Sequence, residues 1–268
     1  VTGVALDRGV ERIAEAFERA RADGRRAALM PYMMAGYPTL EASREVAQAY
    51  VAGGADLIEL GIPFSDPLAD GSVIHAAATQ ALGHGVRLTD CLEIARAVAS
   101  EVPVVVMGYV NPILARGIER FCDLLVGAGV CGLIVPDLPL EESAAMLAAC
   151  DARGLALVPL VAPTTSDARM AEIGATARGF LYTVSVAGTT GERASAGAGP
   201  AALLARARAA CHVPVALGFG ISTPEQAAAA AEAGADGVIV GTRFVRAAGE
   251  DAGAGLAELV TSFAAALG

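Results

Sequence analysis

The stretch Gly54-Ala55-Asp56-Leu57-Ile58-Glu59-Leu60-Gly61 sets the pattern for the whole chain. A glycine ends one element, and an apolar run of strand length follows within a few residues. The arrangement returns at Gly129-Val130-Cys131-Gly132 before Leu133-Ile134-Val135, and at Gly154 before Leu155-Ala156-Leu157-Val158. It returns again at Gly179 before Phe180-Leu181-Tyr182-Thr183, and at Gly234-Ala235-Asp236-Gly237 before Val238-Ile239-Val240. A glycine suits a helix C-terminus, where a left-handed residue releases the chain. Gly129, Gly154 and Gly179 are spaced 25 residues apart, one compact strand-helix unit each.

Three further apolar runs complete the series. Residues 27–35 read as the first strand, and residues 102–107 and 213–217 follow helical segments ending near Ser100 and Ala210. Ahead of them, Val10, Ile13, Ala14, Phe17 and Ala20 recur at helical spacing and predict an N-terminal helix over residues 6–22. Thr39 is placed to cap a helix over residues 40–52. Eight apolar strands, each followed by a helix, predict a (β/α)8 TIM barrel with one additional N-terminal helix. A doubly wound open sheet is the alternative. It would carry a Gly-rich nucleotide loop after the first strand, and Met34-Ala35-Gly36-Tyr37-Pro38 is not one. No linker-like composition shift interrupts residues 1–268, which read as a single domain.

Bulk properties narrow the function. Of 268 residues 54% are hydrophobic, enough for a large core. A net charge of −10 leaves no basic footprint for nucleic acid. The longest apolar runs are strand-sized and too short to span a bilayer. The first residues lack the basic-then-apolar layout of a signal peptide. Five cysteines, without a CxxC pair, read as small buried hydrophobes in a reducing cytoplasm. Three scattered histidines show no metal-ligand spacing. The chain contains no lysine. Acting alone it therefore has no side-chain amine for a Schiff-base aldolase or a PLP enzyme, and no P-loop lysine.

The chemistry concentrates where the second strand breaks into Ile62-Pro63-Phe64-Ser65-Asp66-Pro67-Leu68-Ala69-Asp70-Gly71. Glu59 is a carboxylate inside an apolar strand, a costly placement unless it is paired, protonated or used. Either Glu59 pairs with an arginine while Asp66 and Asp70 make turns, or the strand end and its acidic loop form an acid/base pair. In a barrel the C-terminal strand ends face the active site. They collect Tyr32, Glu59, Met107, Tyr109, Ile134, Asp137, Tyr182, Gly218 and Gly241, a mainly apolar and aromatic set suited to a flat ligand with few polar handles. After strands seven and eight, Gly218-Phe219-Gly220-Ile221-Ser222 and Gly241-Thr242-Arg243 give backbone N–H groups room to crowd a phosphate. Residues 66–88 and 185–199 read as long connections on the same face, suited to lids.

The string from Ile58 to Gly71 resembles the signature of the tryptophan synthase alpha family. Pro31-Tyr32, Gly36-Tyr37-Pro38, residues 107–112, Asp137-Leu138-Pro139-Leu140-Glu141-Glu142-Ser143, residues 188–191 and 218–222, and Gly241-Thr242 agree with it. The resemblance spans essentially the whole chain. It implies a (β/α)8 lyase that cleaves indole-3-glycerol phosphate to indole and glyceraldehyde 3-phosphate in tryptophan biosynthesis. By that resemblance Glu59 is the acid/base and Asp70 holds the indole N–H. Tyr32, Met107 and Ile134 line the indole slot, and Tyr182 sits beside Glu59. Gly191, Gly218, Gly220, Gly241 and Thr242 meet the phosphate, and Thr190 closes over the site. It further implies a PLP-dependent beta subunit as partner, in an α2β2 heterotetramer, facing Pro63, Asp66, Asn111 and Pro139, with no cofactor in this chain. Tyr32 stands where the family commonly has Phe, His75 replaces an amide, Val186 replaces an Arg of some relatives and Thr242 a usual Ser. A stand-alone lyase releasing free indole, a binding module that mainly activates a partner, and a different phosphate-binding barrel remain as alternatives at this point.

Overall fold

The computed structural model describes residues 8–184, 199–218 and 220–268. Nine strands lie in one parallel sheet: β1 (Ala28–Met34), β2 (Ile58–Gly61), β3 (Val104–Met107), β4 (Gly132–Ile134), β5 (Ala156–Val158), β6 (Leu160–Val161), β7 (Leu181–Val184), β8 (Val215–Gly218) and β9 (Gly237–Val240). Their order is β5-β4-β3-β2-β1-β9-β8-β7-β6. The two ends of that order, β5 and β6, are separated in the chain only by Pro159. They are one barrel strand interrupted at a proline, which has no N–H to give to a ladder. The sheet thus closes on itself as an eight-position barrel, and the expected fold class holds.

The helices are α1 (Arg8–Ala22), α2 (Leu40–Ala52), α3 (Ser72–Gly83), α4 (Leu88–Val98), α5 (Val110–Arg116), α6 (Ile118–Gly127), α7 (Ala144–Asp151), α8 (Asp167–Thr176), α9 (Pro200–Ala210), α10 (Pro224–Glu232), α11 (Thr242–Glu250) and α12 (Ala254–Ala266). A 3-10 turn, Leu140–Glu142, precedes α7. No helix among the described residues is long and apolar enough to cross a membrane.

The glycines of the repeated signature do what their position asks. Gly54, Gly129, Gly154, Gly179 and Gly234 all have positive φ, between 67° and 102°. Thr39 caps α2, its hydroxyl accepting from the Ala42 N–H. Strand side chains alternate between two cores. Leu29, Ile58, Val104, Leu133, Leu157 and Val238 point outward against the helices. Met30, Leu57, Val105, Ile134, Phe180 and Ile239 fill the barrel. Ile13 and Phe17 of α1 join that inner cluster. The N-terminal helix therefore plugs one end of the barrel and leaves the C-terminal end to carry a site.

One stretch departs from expectation. Residues 66–88 are mostly not loop, because they contain α3. Ile74, Ala77, Ala78 and Ala81 are the buried face of that helix, at i, i+3, i+4 and i+7. Short alanines make this stripe weak in the sequence, and two prolines and two acidic residues just before it pull the reading toward a loop.

Candidate active site at the C-terminal mouth

Glu59 points into the barrel from β2, in register with Tyr32 of β1 and Val105 of β3. It is 2% exposed, and no arginine meets it among the described residues. Its Oε2 is the one buried side-chain polar atom without a hydrogen-bond partner among the described residues. Such an orphan costs about 1–3 kcal/mol. The arginine-paired alternative for Glu59 does not hold. Burial first, and then the charge of Asp70, push the Glu59 carboxyl up to about 8. A carboxylic acid that keeps its proton at neutral pH is the form a general acid needs.

Asp70 follows nine residues after Gly61, at the entry to α3. Burial raises its carboxyl, while a hydrogen bond from Tyr109 and the charge of His75 pull against that rise. The Tyr109 hydroxyl also accepts from the Ala69 N–H at 3.2 Å. Its ring stacks on Phe64, with centroids 5.2 Å apart. One phenol thus grips both the backbone before Asp70 and the Asp70 carboxylate. The sequence marked Tyr109 only as a strand-end side chain. The usable signal was a phenol two residues beyond Met107, opposite an acidic loop.

Two tyrosines complete the inner wall. The Tyr32 phenol is pushed well up by burial, then by Asp70 and Glu59, and the Tyr182 phenol by burial and then Glu59. Each ring lies over a glycine. A Cβ on Gly61 would collide with the Tyr32 hydroxyl, and one on Gly218 would come within 2.5 Å of the Tyr182 hydroxyl. Met107 and Ile134 are adjacent in register between β3 and β4 and both face inward. The structure therefore brings Tyr32, Glu59, Met107, Ile134 and Tyr182 to one mouth, with Asp70 folded over it. Asp137 does other work. Its Oδ1 accepts from the Val110 N–H at 2.9 Å and so caps α5.

On the opposite rim, β8 ends at Gly218 and β9 at Val240. Gly241 is the N-cap of α11, and Thr242 is its first residue. Gly220 has φ +79° and is exposed. These two adjacent strand ends bring the N-terminus of α11 to the rim, which is favourable for an anion. Thr190 and Gly191 lie outside the described residues, as does Val186. Among the described residues no group of three or more His, Cys, Asp or Glu is placed to hold a metal.

Asp66, Asn111 and Pro139 are exposed around this rim. Pro63 is not; it is buried. With Phe64 and Ile62 it lines an outer groove that also includes Leu88, Pro112 and Leu124.

Comparison with known proteins agrees with this geometry. The model of the family "Tryptophan synthase alpha chain" matches residues 17–265. The tryptophan synthase alpha chain of Methanosarcina mazei is 48% identical over 235 residues, 88% of this chain and 86% of that protein. That of Synechococcus elongatus is 49% identical over 249 residues, 92% and 93% of the two chains. A crystal structure of tryptophan synthase from M. tuberculosis superposes with a TM-score of 0.87 at 38% identity, over 96% of this chain and 98% of that one. A crystal structure of tryptophan synthase subunit alpha from Legionella pneumophila gives a TM-score of 0.84 at 38% identity, over 96% and 98%. This chain belongs to the tryptophan synthase alpha chain family.

Proposed function

We propose that Glu59 and Asp70 together carry out the carbon–carbon cleavage for which this family is named a lyase. As a tryptophan synthase alpha chain, the protein cleaves indole-3-glycerol phosphate in tryptophan biosynthesis. The observation that carries our reading is Glu59: buried, without a cation among the described residues, and raised to about 8 by its surroundings.

Protonated Glu59 donates its proton to indole C3, making a cationic indolenine. The resulting carboxylate then takes the proton of the side-chain hydroxyl on the carbon to be released. Electrons from that O–H bond form the aldehyde. Those of the breaking carbon–carbon bond return to the ring and restore neutral indole. Asp70 accepts the indole N–H and stabilises the transient positive charge. General acid–base catalysis of this kind supplies about 10² to 10⁴-fold, and a preorganised counter-charge a comparable factor. Tyr32, Met107, Ile134 and Tyr182 hold the flat ring. Gly218, Gly220, Gly241 and Thr242 take the phosphate. The reading keeps Gly191 at the phosphate and Thr190 as the residue that closes over the site, and assigns this chain no cofactor of its own.

Members of this family pair with a beta subunit. We infer an α2β2 assembly in the cytoplasm, with PLP in the beta subunit and the contact made around exposed Asp66, Asn111 and Pro139. Indole formation from indole-3-glycerol phosphate by the purified chain, with and without a beta subunit, tests the proposal. We expect cleavage that the beta subunit accelerates. No indole under either condition would overturn it.

A further inference from the structure

We propose that Cys122 and Cys150 form a site of reversible oxidation that joins α6 to α7 by a disulfide. This does not rest on the lyase reading. Four of the five cysteines are buried, but only these two meet each other. Cys91, Cys131 and Cys211 each direct their thiol at a backbone carbonyl, of Arg87, Gly129 and Val213. The Cys122 and Cys150 sulfurs are 3.9 Å apart, in hydrogen-bonding contact across the packed helices. Both side chains are 0% exposed. A disulfide needs the sulfurs at about 2.05 Å, so side-chain rotation with a small helix adjustment must close a little under 2 Å.

The two thiols are not equivalent. The Cys150 hydrogen bond holds the Cys122 thiol below its ordinary value against burial, with help from the Arg153 charge. The same bond, with burial, pushes Cys150 up. Arg153 is anchored beside the pair. Its Nε donates to Asp123 at 2.6 Å and its Nη1 to the Ala149 carbonyl at 3.1 Å. A thiol whose ionisation is eased by its neighbour and by an anchored guanidinium, with the second sulfur already in contact, makes Cys122 the attacking and Cys150 the resolving cysteine of the proposed pair.

The oxidant required is a hydroperoxide, taken here as hydrogen peroxide. The Cys122 thiolate attacks one peroxide oxygen. The O–O bond breaks, a sulfenic acid forms, and the leaving hydroxide recovers the thiol proton as water. The Cys150 sulfur then attacks the sulfenic sulfur, the S–O bond breaks and a second water leaves. Two thiols and one peroxide become one disulfide and two waters, with two electrons transferred. The segment enclosed, residues 122–150, contains β4 with Ile134 and the turn with Pro139. Oxidation would tie together the two units behind the slot wall and the exposed rim.

The test is graded hydrogen peroxide on the full chain, followed by intact mass and non-reducing peptide mapping. We expect a mass loss of about 2 Da, a peptide pair joined through Cys122 and Cys150, and a Tm raised by several degrees. Dithiothreitol should reverse all three. Cys150→Ser should abolish the link and leave a Cys122 sulfenic acid that dimedone traps, and Arg153→Gln should slow linking several-fold. The mapping on unmodified chain keeps the test independent of how the variants fold. Oxidation of half-buried Cys211 without any Cys122–Cys150 link would overturn the proposal. So would a link that persists at an unchanged rate without the Arg153 charge.

Discussion

Two carboxylates three residues apart, one just before β2 and one within it, have opposite surroundings. Asp56, at the closed end of the barrel, receives both Arg25 nitrogens at 2.5 and 2.7 Å and the Leu29 N–H at 2.8 Å. Asp236 repeats the design before β9. It meets Arg21 at 3.1 Å and Arg208 at 3.0 Å and accepts the Val215 N–H at 2.9 Å. Each Asp sits in a Gly-Ala-Asp triplet and ties its own strand to the start of a neighbour. Glu59 lies three residues further on, within β2, toward the open end. Among the described residues it meets no cation, and one of its oxygens has no partner. The same chemical group is thus satisfied where the barrel must hold together and left unsatisfied where it must react. Partners rather than residue type separate a structural carboxylate from a chemical one.

Removing each carboxylate's distinguishing feature should break the comparison in a different way. Glu59→Gln keeps the shape and removes the proton donor. We expect indole formation to fall by about 10² to 10⁴-fold, with phosphate-ligand binding retained and stability unchanged or improved. Asp70→Asn should lower kcat by about 10²-fold or more, again with little change in Tm. A drop in stability that tracks the loss of rate in either variant would mean the open end is structural too. At the closed end, Arg25→Ala strands Asp56, whose side chain is only 6% exposed. Urea denaturation should show a loss of about 3 kcal/mol, while kcat stays as it was. A selective loss of kcat there would erase the distinction between the two ends.

The smallest effect, per pH unit, is a slope of at most about 1.4 kcal/mol. Glu59 carries its proton in the folded chain up to about 8 but loses it from 4.5 in the unfolded one. Between those values the native state binds more protons, so stability falls as pH rises. The contribution is complete below 4.5 and is lost as pH passes through about 8. Subtracting the profile of Glu59→Gln from that of the parent chain should isolate a decline over this window. A flat difference would show that Glu59 is ionised throughout.

How much of this was legible beforehand follows from which signals are local. Strand positions were readable because Gly54, Gly129, Gly154, Gly179 and Gly234 mark helix ends by backbone conformation, a property of single residues. The inward aim of Glu59 was readable because strand side chains alternate. The interruption of the fifth strand at Pro159 was not, since a strand ending and a strand broken by proline look alike until both neighbours pair. Helix α3 was hidden by its alanines. Pro63 was expected to face a partner, and its burial depends on packing that the string of residues around it does not encode. The grip of Tyr109 on Asp70 joins residues from two different strand ends, a relation that no local pattern encodes. The rooms that Gly61 and Gly218 leave for Tyr32 and Tyr182 are likewise contacts between strands.

The central claim is that the barrel, by burying Glu59 beside the Asp70 charge, keeps it protonated near neutral pH. Carboxyl carbon-13 labelling of glutamate reads this directly, with Glu59→Gln identifying the resonance. The account predicts a titration midpoint for Glu59 near 8, far above the other glutamates. A midpoint near 4.5, that of an ordinary glutamate, would contradict it.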